Sequence, residues 1–155
     1  MTRAIWDNEV TLDEFLLEKN RISAEQLTGI RRVQALEGGG WAGHFVDAGA
    51  ITENELLQLL LAETALPYIP ILQISVADDL LREFSLDFLR TFECLPMDRI
   101  GPVLTMATPN PLQPELFRSR GTSQITIHLY LCRVSEWREC LRRLQEKLQA
   151  EPGAA

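Results

Sequence analysis

The chain is poor in the residues that carry most chemistry. It has two lysines, Lys19 and Lys147, and two histidines, His44 and His128. A P-loop needs G-x-x-x-x-G-K-[ST], whose lysine reaches the nucleotide phosphates, and neither lysine follows a glycine. ATPase activity therefore has no motif here. Two histidines without H-E-x-x-H spacing, and without cysteines at ligand distance, leave no zinc pattern. Cys94, Cys132 and Cys140 are odd in number and lack C-x-x-C spacing, so reduced thiols are expected rather than a disulfide framework. No stretch approaches the roughly 18 apolar residues that span a bilayer. The opening Met-Thr-Arg-Ala-Ile-Trp-Asp has no signal-peptide core. A cytoplasmic chain without direct membrane insertion is expected.

Positive charge is also scarce. There are 15 Lys and Arg against 22 Asp and Glu, a net charge of −7. Residues 1–64 hold 5 basic and 11 acidic residues, whereas 65–155 hold 10 and 11. Nucleic-acid binding needs a basic footprint to displace phosphate counterions, and the field of this chain opposes it.

What the chain does have is a normal globular composition, 46% apolar and 24% charged over 155 residues, and an internal repeat. Segment 11–34 reads TLDEFLLEKNRISAEQLTGIRRVQ and segment 40–63 reads GWAGHFVDAGAITENELLQLLLAE, an offset of 29 residues. Each copy carries the signals of a helix–turn–helix. Asn20 and Gly49 tolerate the left-handed backbone of a helix end. Ser23-x-x-Gln26 and Thr52-x-x-Glu55 are capping boxes, with Ile22 and Ile51 placed to staple the helix that follows. Leu27, Ile30 and Val33, then Leu56, Leu59 and Leu60, fall on one face. Gly38-Gly39-Gly40 breaks the chain between copies.

Beyond Leu66 the pattern changes. LPYIPI reads as an extended linker on the surface of the helical half. Ser75 is expected to open a short helix to about Phe84, and Ser85 another to about Phe92. Residues 93–98 and 103–108 read as strands around Ile100-Gly101-Pro102. Asn110-Pro111 should open a helix to about Arg118. ITIHLYLC at 125–132 alternates as a strand, and Ser135 should cap a last helix striped by Trp137, Cys140, Leu141, Leu144 and Leu148. With Ser23, Ser75 and Ser135 assigned to caps, no serine is left beside a base. The expected fold is α+β: a helical subdomain at 1–64, a linker with short helices at 65–92, a three-stranded α/β sandwich at 93–149 and a tail at 150–155.

Several side chains invite sharper readings. His128 sits on the last strand, Cys132 and Cys140 could approach one another between the last strand and helix, and Arg31-Arg32, Arg118-x-Arg120 and Arg142-Arg143 could contact acidic partners or a polar lipid surface. An exposed strand residue, small apolar core groups and solvated faces are the expected outcomes. Trp41, after three glycines, is either an interface anchor or packing between the copies; packing is expected.

The tandem repeat, the LPYIPI linker and the stretch LPMDRIGPVLTMATPNPLQPELF together resemble the N-terminal domain of type II secretion and type IV pilus assembly ATPases, of the GspE, PilB and MshE kind. The resemblance spans roughly residues 10–145. It implies a non-catalytic interaction or regulatory domain that docks to the cytoplasmic domain of an inner-membrane assembly protein, with a separate motor ATPase as a further partner. Such a chain would be peripheral to the inner membrane through that partner.

Some members of the family bind cyclic di-GMP through two tandem motifs of this length, each beginning Arg-Leu-Gly and ending in Gln. The scaffold of that surface would be Leu12, Leu16, Leu17 and Gln34 in the first copy and Trp41, Phe45, Val46 and Gly49 in the second. The ligand-facing start is not kept. Thr11-Leu12-Asp13 and Gly40-Trp41-Ala42 stand in its place, and the second copy closes on Glu63. Two arginine forks are gone and a carboxylate is added, so the expected chain is a retained scaffold without cofactor. A cyclic-di-GMP module and a stand-alone adaptor or decoy are the alternatives.

Overall fold

The structure, a computed structural model, describes residues 10–116 and 126–150. Four helices come first: α1 (Leu12–Glu18), α2 (Ala24–Glu37), α3 (Trp41–Asp47) and α4 (Glu53–Thr64). They are two copies of one helix–turn–helix. Asn20 and Gly49 end α1 and α3 with φ of 57° and 72°. Both capping boxes form: Ser23 and Thr52 accept from the backbone N–H of Gln26 and Glu55, whose side chains reach back to the cap residues. Ile22 and Ile51 are buried beneath those turns.

The inward faces of the four helices make one apolar cluster, with Leu12, Phe15 and Leu16 of the first copy packed with Phe45, Leu56 and Leu60 of the second. Side chains buried this fully contribute about 2 kcal/mol each, which is how four short helices hold without strong individual propensity. Val33, expected on the inner stripe, is 42% exposed. α2 turns that face outward over its second half, leaving only Leu27 and Ile30 inside.

The second half is built on a three-stranded sheet in the order β1 (Leu95–Ile100), β2 (Val103–Thr108), β3 (Thr126–Leu131). β1 and β2 form an antiparallel hairpin with an irregularity between Pro96 and Asp98. Proline removes a ladder donor, and an edge strand at a bulge is where that loss is tolerated. Gly101 turns the hairpin with φ of 57°, a conformation costly for any residue with a Cβ. β2 and β3 are parallel in register from Val103↔Thr126 to Thr108↔Leu131, so the chain between them crosses over. α5 (Asp78–Arg82), α6 (Leu86–Phe92) and α7 (Val134–Ala150) accompany the sheet. Its core joins Met106, Leu104 and Leu95 to Leu89, Trp137, Leu141 and Leu144. The fold is α+β with a mixed sheet, as the sequence implies.

The local differences have physical causes. LPYIPI does more than run over the helical half: Ile69 N–H donates to Leu131 O at 2.9 Å and Leu131 N–H to Pro67 O at 2.8 Å, so the linker extends the outer edge of β3 by one bridge. α5 starts after Ala77 rather than Ser75 and stops at Arg82, while Ser85 does cap α6 through Phe88 N–H. β1 begins at Leu95, because Glu93 ends α6 in the left-handed region at φ 47°. Asn110 accepts from Leu112 N–H at 2.9 Å as a local turn, and helical backbone begins only at 114. The expected end of that helix lies outside the described residues. Ser135 falls inside α7, which runs to Ala150, and its amide and hydroxyl both bond Glu53 at 2.9 Å. At the start of α7 it is Glu136 that reaches back, to Arg133 N–H at 2.8 Å.

Candidate functional site

The residues expected to outline a dinucleotide surface divide by burial. Leu12, Leu16 and Phe45 have essentially no exposure and belong to the interior of the helical half. Trp41 is half-buried and stacks on Phe45 with ring centroids 6.0 Å apart, packing against the same cluster. Val46 is half-buried and Leu17 is 38% exposed. Gln34 reaches Gly39 O at 3.1 Å, so its amide closes the glycine turn. Gly49 lies on the surface at its helix end. What these residues leave exposed lies at Leu17 on α1, at the start of α3 with its glycine turn, and at Gly49 after α3.

At the first start, Asp13 is largely buried and internally paired. Its carboxylate accepts from the Thr11 hydroxyl and from Arg31 at 3.0 Å. Burial works against its charge, but the hydrogen bonds from Thr11 and Arg31 outweigh it and hold the carboxyl below the usual range. Arg31 is thereby occupied within its own repeat, while Arg32 is exposed.

The second start holds a group that sequence reading misplaces. Glu93, read as the first residue of a strand, sends a buried carboxylate across the molecule to the N-terminus of α3. Its two oxygens accept from Ala42 N–H at 2.8 Å and Gly43 N–H at 2.7 Å. Helix N-termini leave such donors unpaired, and a carboxylate there satisfies both donors and dipole. Burial raises the carboxyl above its ordinary range, against the two backbone donors, which lower it. Glu93 is held by Thr108, whose hydroxyl donates to Glu93 O at 2.8 Å.

The approach is close enough to dictate the opposing sequence. A Cβ on Gly40 would lie 2.2 Å from Glu93 Cγ, and one on Gly43 would lie 2.7 Å from Arg138 Nη2. The third glycine of the triplet is thus a contact requirement, not only a break between helices. Around it runs a polar seam between the halves. Arg138 makes a two-pronged contact with Asp47 at 2.7 and 2.9 Å. Arg133 bonds Asn54 at 2.8 Å and stacks over Tyr68, whose hydroxyl donates to Glu136 at 2.6 Å. The available signal in the sequence was Glu93 itself, a lone acid between Phe92 and the apolar Cys94-Leu95, but its partner 50 residues away carries no local mark.

The remaining candidates are ordinary. His44 Nε2 lies 2.6 Å from Gly38 O, and His128 is exposed on β3. Cys94 and Cys132 are buried and Cys140 half-buried, all as free thiols; burial pushes Cys132 well above its usual range. Arg142 pairs with Glu139 and Glu146, and Arg143 with Glu139. Arg118 and Arg120 lie outside the described residues. Among the described residues no His, Cys, Asp and Glu cluster could hold a metal ion, and no helix is long and apolar enough to cross a membrane.

Against known families, the model of the MshEN domain matches residues 64–151, more than half of the chain. The chain belongs to the MshEN domain family. Among solved structures, this MshEN chain is similar to the N-terminal domain of XpsE in two crystal forms. One matches at 18% identity and a TM-score of 0.60, covering 92% of this chain and 98% of the other. The second matches at 20% identity and a TM-score of 0.58, with the same coverage. It is also similar to a structure of MshE with cdg, at 20% identity and a TM-score of 0.51, covering 87% of this chain and 99% of that one. At these identities the likeness speaks to the fold. No curated protein matches. The family match begins at the last residue of α4, so it rests on the linker and the α/β half, and the helical repeat is linked to the relatives through its fold.

Proposed function

We propose that this MshEN chain is a non-catalytic interaction or regulatory domain, which docks a secretion or pilus assembly ATPase to the cytoplasmic domain of an inner-membrane platform protein. The observation that carries the reading is the state of the two helix starts. Each is occupied by a carboxylate of the chain itself, Asp13 in the first repeat and Glu93 in the second. A dianionic nucleotide would meet negative charge at both positions, and Arg31, the nearest cation of the first copy, is already paired. What remains is a two-part body tied together through Glu93, and the fold likeness to the XpsE N-terminal domain supports that role.

The test is binding of the full chain to cytoplasmic domains of platform proteins from secretion and pilus systems, measured by pull-down and calorimetry. Recovery of at least one is expected; recovery of none, while the N-terminal domain of a full-length motor binds, would refute the reading.

The second reading is a cyclic-di-GMP receptor, favoured by the likeness to MshE with cdg. Calorimetry at low salt separates the two, with no saturable heat expected. Saturation in the micromolar range would replace the docking reading with the receptor. A stand-alone adaptor or decoy predicts the same contacts as docking, together with competition against a full-length motor.

A further inference from the structure

The helical half carries a second feature that its own packing does not explain. Gly29 sits in the middle of α2, where glycine costs about 1 kcal/mol relative to alanine. A glycine is normally kept in such a place by a close neighbour, yet a Cβ on Gly29 would meet no atom within 4 Å. Gly29 instead forms part of the wall of an open groove of about 580 Å³ between α2 and the turn after α3, shared with Ile30, Val33, Ala48 and Ala50. The groove is mostly apolar. Leu36, 84% exposed, stands three residues on from Val33 and so on the same side of α2 as the groove.

The charged side chains that line this groove without an ion pair are both acidic. Glu25 and Glu37 stand at its two ends, 12 residues apart on α2 and so about 18 Å from one another along the axis. Neither forms an ion pair among the described residues. Asp47 also lines the groove but is taken by Arg138, and His44, the remaining ionisable group there, lies against Gly38 O. Among the described residues no lysine or arginine lines it. The surrounding half adds to the field, with 5 basic and 11 acidic residues in 1–64.

We propose that this groove is the docking surface for a basic amphipathic helix of the partner protein. Its apolar face would lie over Gly29, Val33 and Leu36, and its cations, about three turns apart, would meet Glu25 and Glu37. Gly29 then has its reason: it lets the incoming helix approach the backbone of α2. The proposal rests on the docking reading above and names the face and the chemistry of the contact.

The probe is a synthetic peptide of about four helical turns, with leucine on one face and lysine on the other, compared with a counterpart carrying glutamate for lysine. Titrated into the isotope-labelled full chain, the lysine peptide should shift the amides of Gly29, Val33, Ala48 and Ala50, and weaken as salt is raised. The glutamate peptide should not bind. Gly29→Gln puts a good helix former where there is open space, so the variant should be at least as stable as the parent while binding the lysine peptide roughly tenfold or more weakly. Equal binding of both peptides, shifts confined to another face, or unchanged affinity in Gly29→Gln would each overturn the groove assignment.

The same variant separates the groove from docking as such. A platform domain that binds parent and Gly29→Gln equally removes the groove but leaves docking in place. If the lysine peptide binds with full sensitivity to Gly29 while every platform domain fails, the groove stands and the docking reading falls.

Discussion

The two helix–turn–helix copies agree at the helix end, the capping box and the staple, and differ in what holds the start of their first helix. Both use a left-handed residue at the first helix end, both form a complete capping box at the second, and both bury an aliphatic staple between. At the start, the first copy looks inward: Asp13 binds Thr11 and Arg31, all within 21 residues of sequence. The second copy looks across the molecule, with the α3 amides held by Glu93 from the other half. Duplication preserved the scaffold, and the opening position became the place where one copy is tied to the α/β half. That difference explains why the copies diverge at Thr11-Leu12-Asp13 and Gly40-Trp41-Ala42 while their caps stay alike.

The strongest way to break this comparison is to remove the carboxylate. Glu93→Ala leaves two buried N–H groups without a partner and should cost about 3 kcal/mol in denaturant unfolding. Gly40→Ala drives a Cβ into the Glu93 side chain and should cost about 2 kcal/mol by overpacking. Asp13→Ala, the counterpart in the first copy, should cost less than about 1 kcal/mol, because its partner Arg31 is 55% exposed and water can replace the pair. Equal losses for Glu93→Ala and Asp13→Ala would show that the tie between halves carries no extra weight.

Protonation separates the copies by sign. Glu93 is raised above the ordinary glutamate value of 4.5, so the folded state binds that proton more tightly than the unfolded chain. The part of its stability linked to protonation is full below 4.5 and is lost as pH rises through the raised value, while the hydrogen bonds to Ala42 and Gly43 remain. Asp13 is lowered from 3.8, so its contribution is present above that value and is lost as pH falls through the lower folded one. A carboxyl-detected NMR titration should therefore find Glu93 titrating above 4.5 and Asp13 below 3.8. The reverse order would overturn the account of both sites.

How much of this was readable in advance follows the range of the interactions. The repeat, the caps at Ser23, Thr52 and Ser85, the positive φ at Asn20 and Gly49 and the apolar stripe of α7 are local codes, written within one or two turns, and the sequence carries them. Ser135 shows the limit. Its residue type suits a cap, yet its amide and hydroxyl are claimed by Glu53 from the other half, and the helix starts one residue earlier. Glu93 fails for the same reason: local pattern favours opening a strand there, whereas Glu93 ends α6 in the left-handed region and its carboxylate binds 50 positions away. Gly40 was legible as a helix breaker, whereas its role as the space for Glu93 exists only once the halves meet.

Where the copies are alike, mutations should be alike. Ser23→Ala and Thr52→Ala each remove one side-chain cap with the same geometry and should each cost about 1 kcal/mol. A difference well beyond that between them, measured under one set of conditions, would mean that the second capping box depends on the neighbouring contact of Glu53 with Ser135 rather than standing alone.

The smallest expected effect tests whether the seam depends on its exposed charges. Asp47 occupies in the second copy the position of Glu18 in the first, 29 residues earlier. Asp47 is gripped by both prongs of Arg138, but the two side chains are 58% and 45% exposed, so water screens the pair. Asp47→Ala should cost about 0.5 kcal/mol and Glu18→Ala close to zero. The difference should vanish in roughly 1 M salt, where the screening length falls to about 3 Å, whereas the loss from Glu93→Ala should persist because that carboxylate is shielded from solvent. If salt erased both losses, the buried carboxylate would be acting as a surface charge, and the tie between the halves would have to be sought in their shared apolar contacts, where Leu112, Leu131 and Val134 already join the helical core.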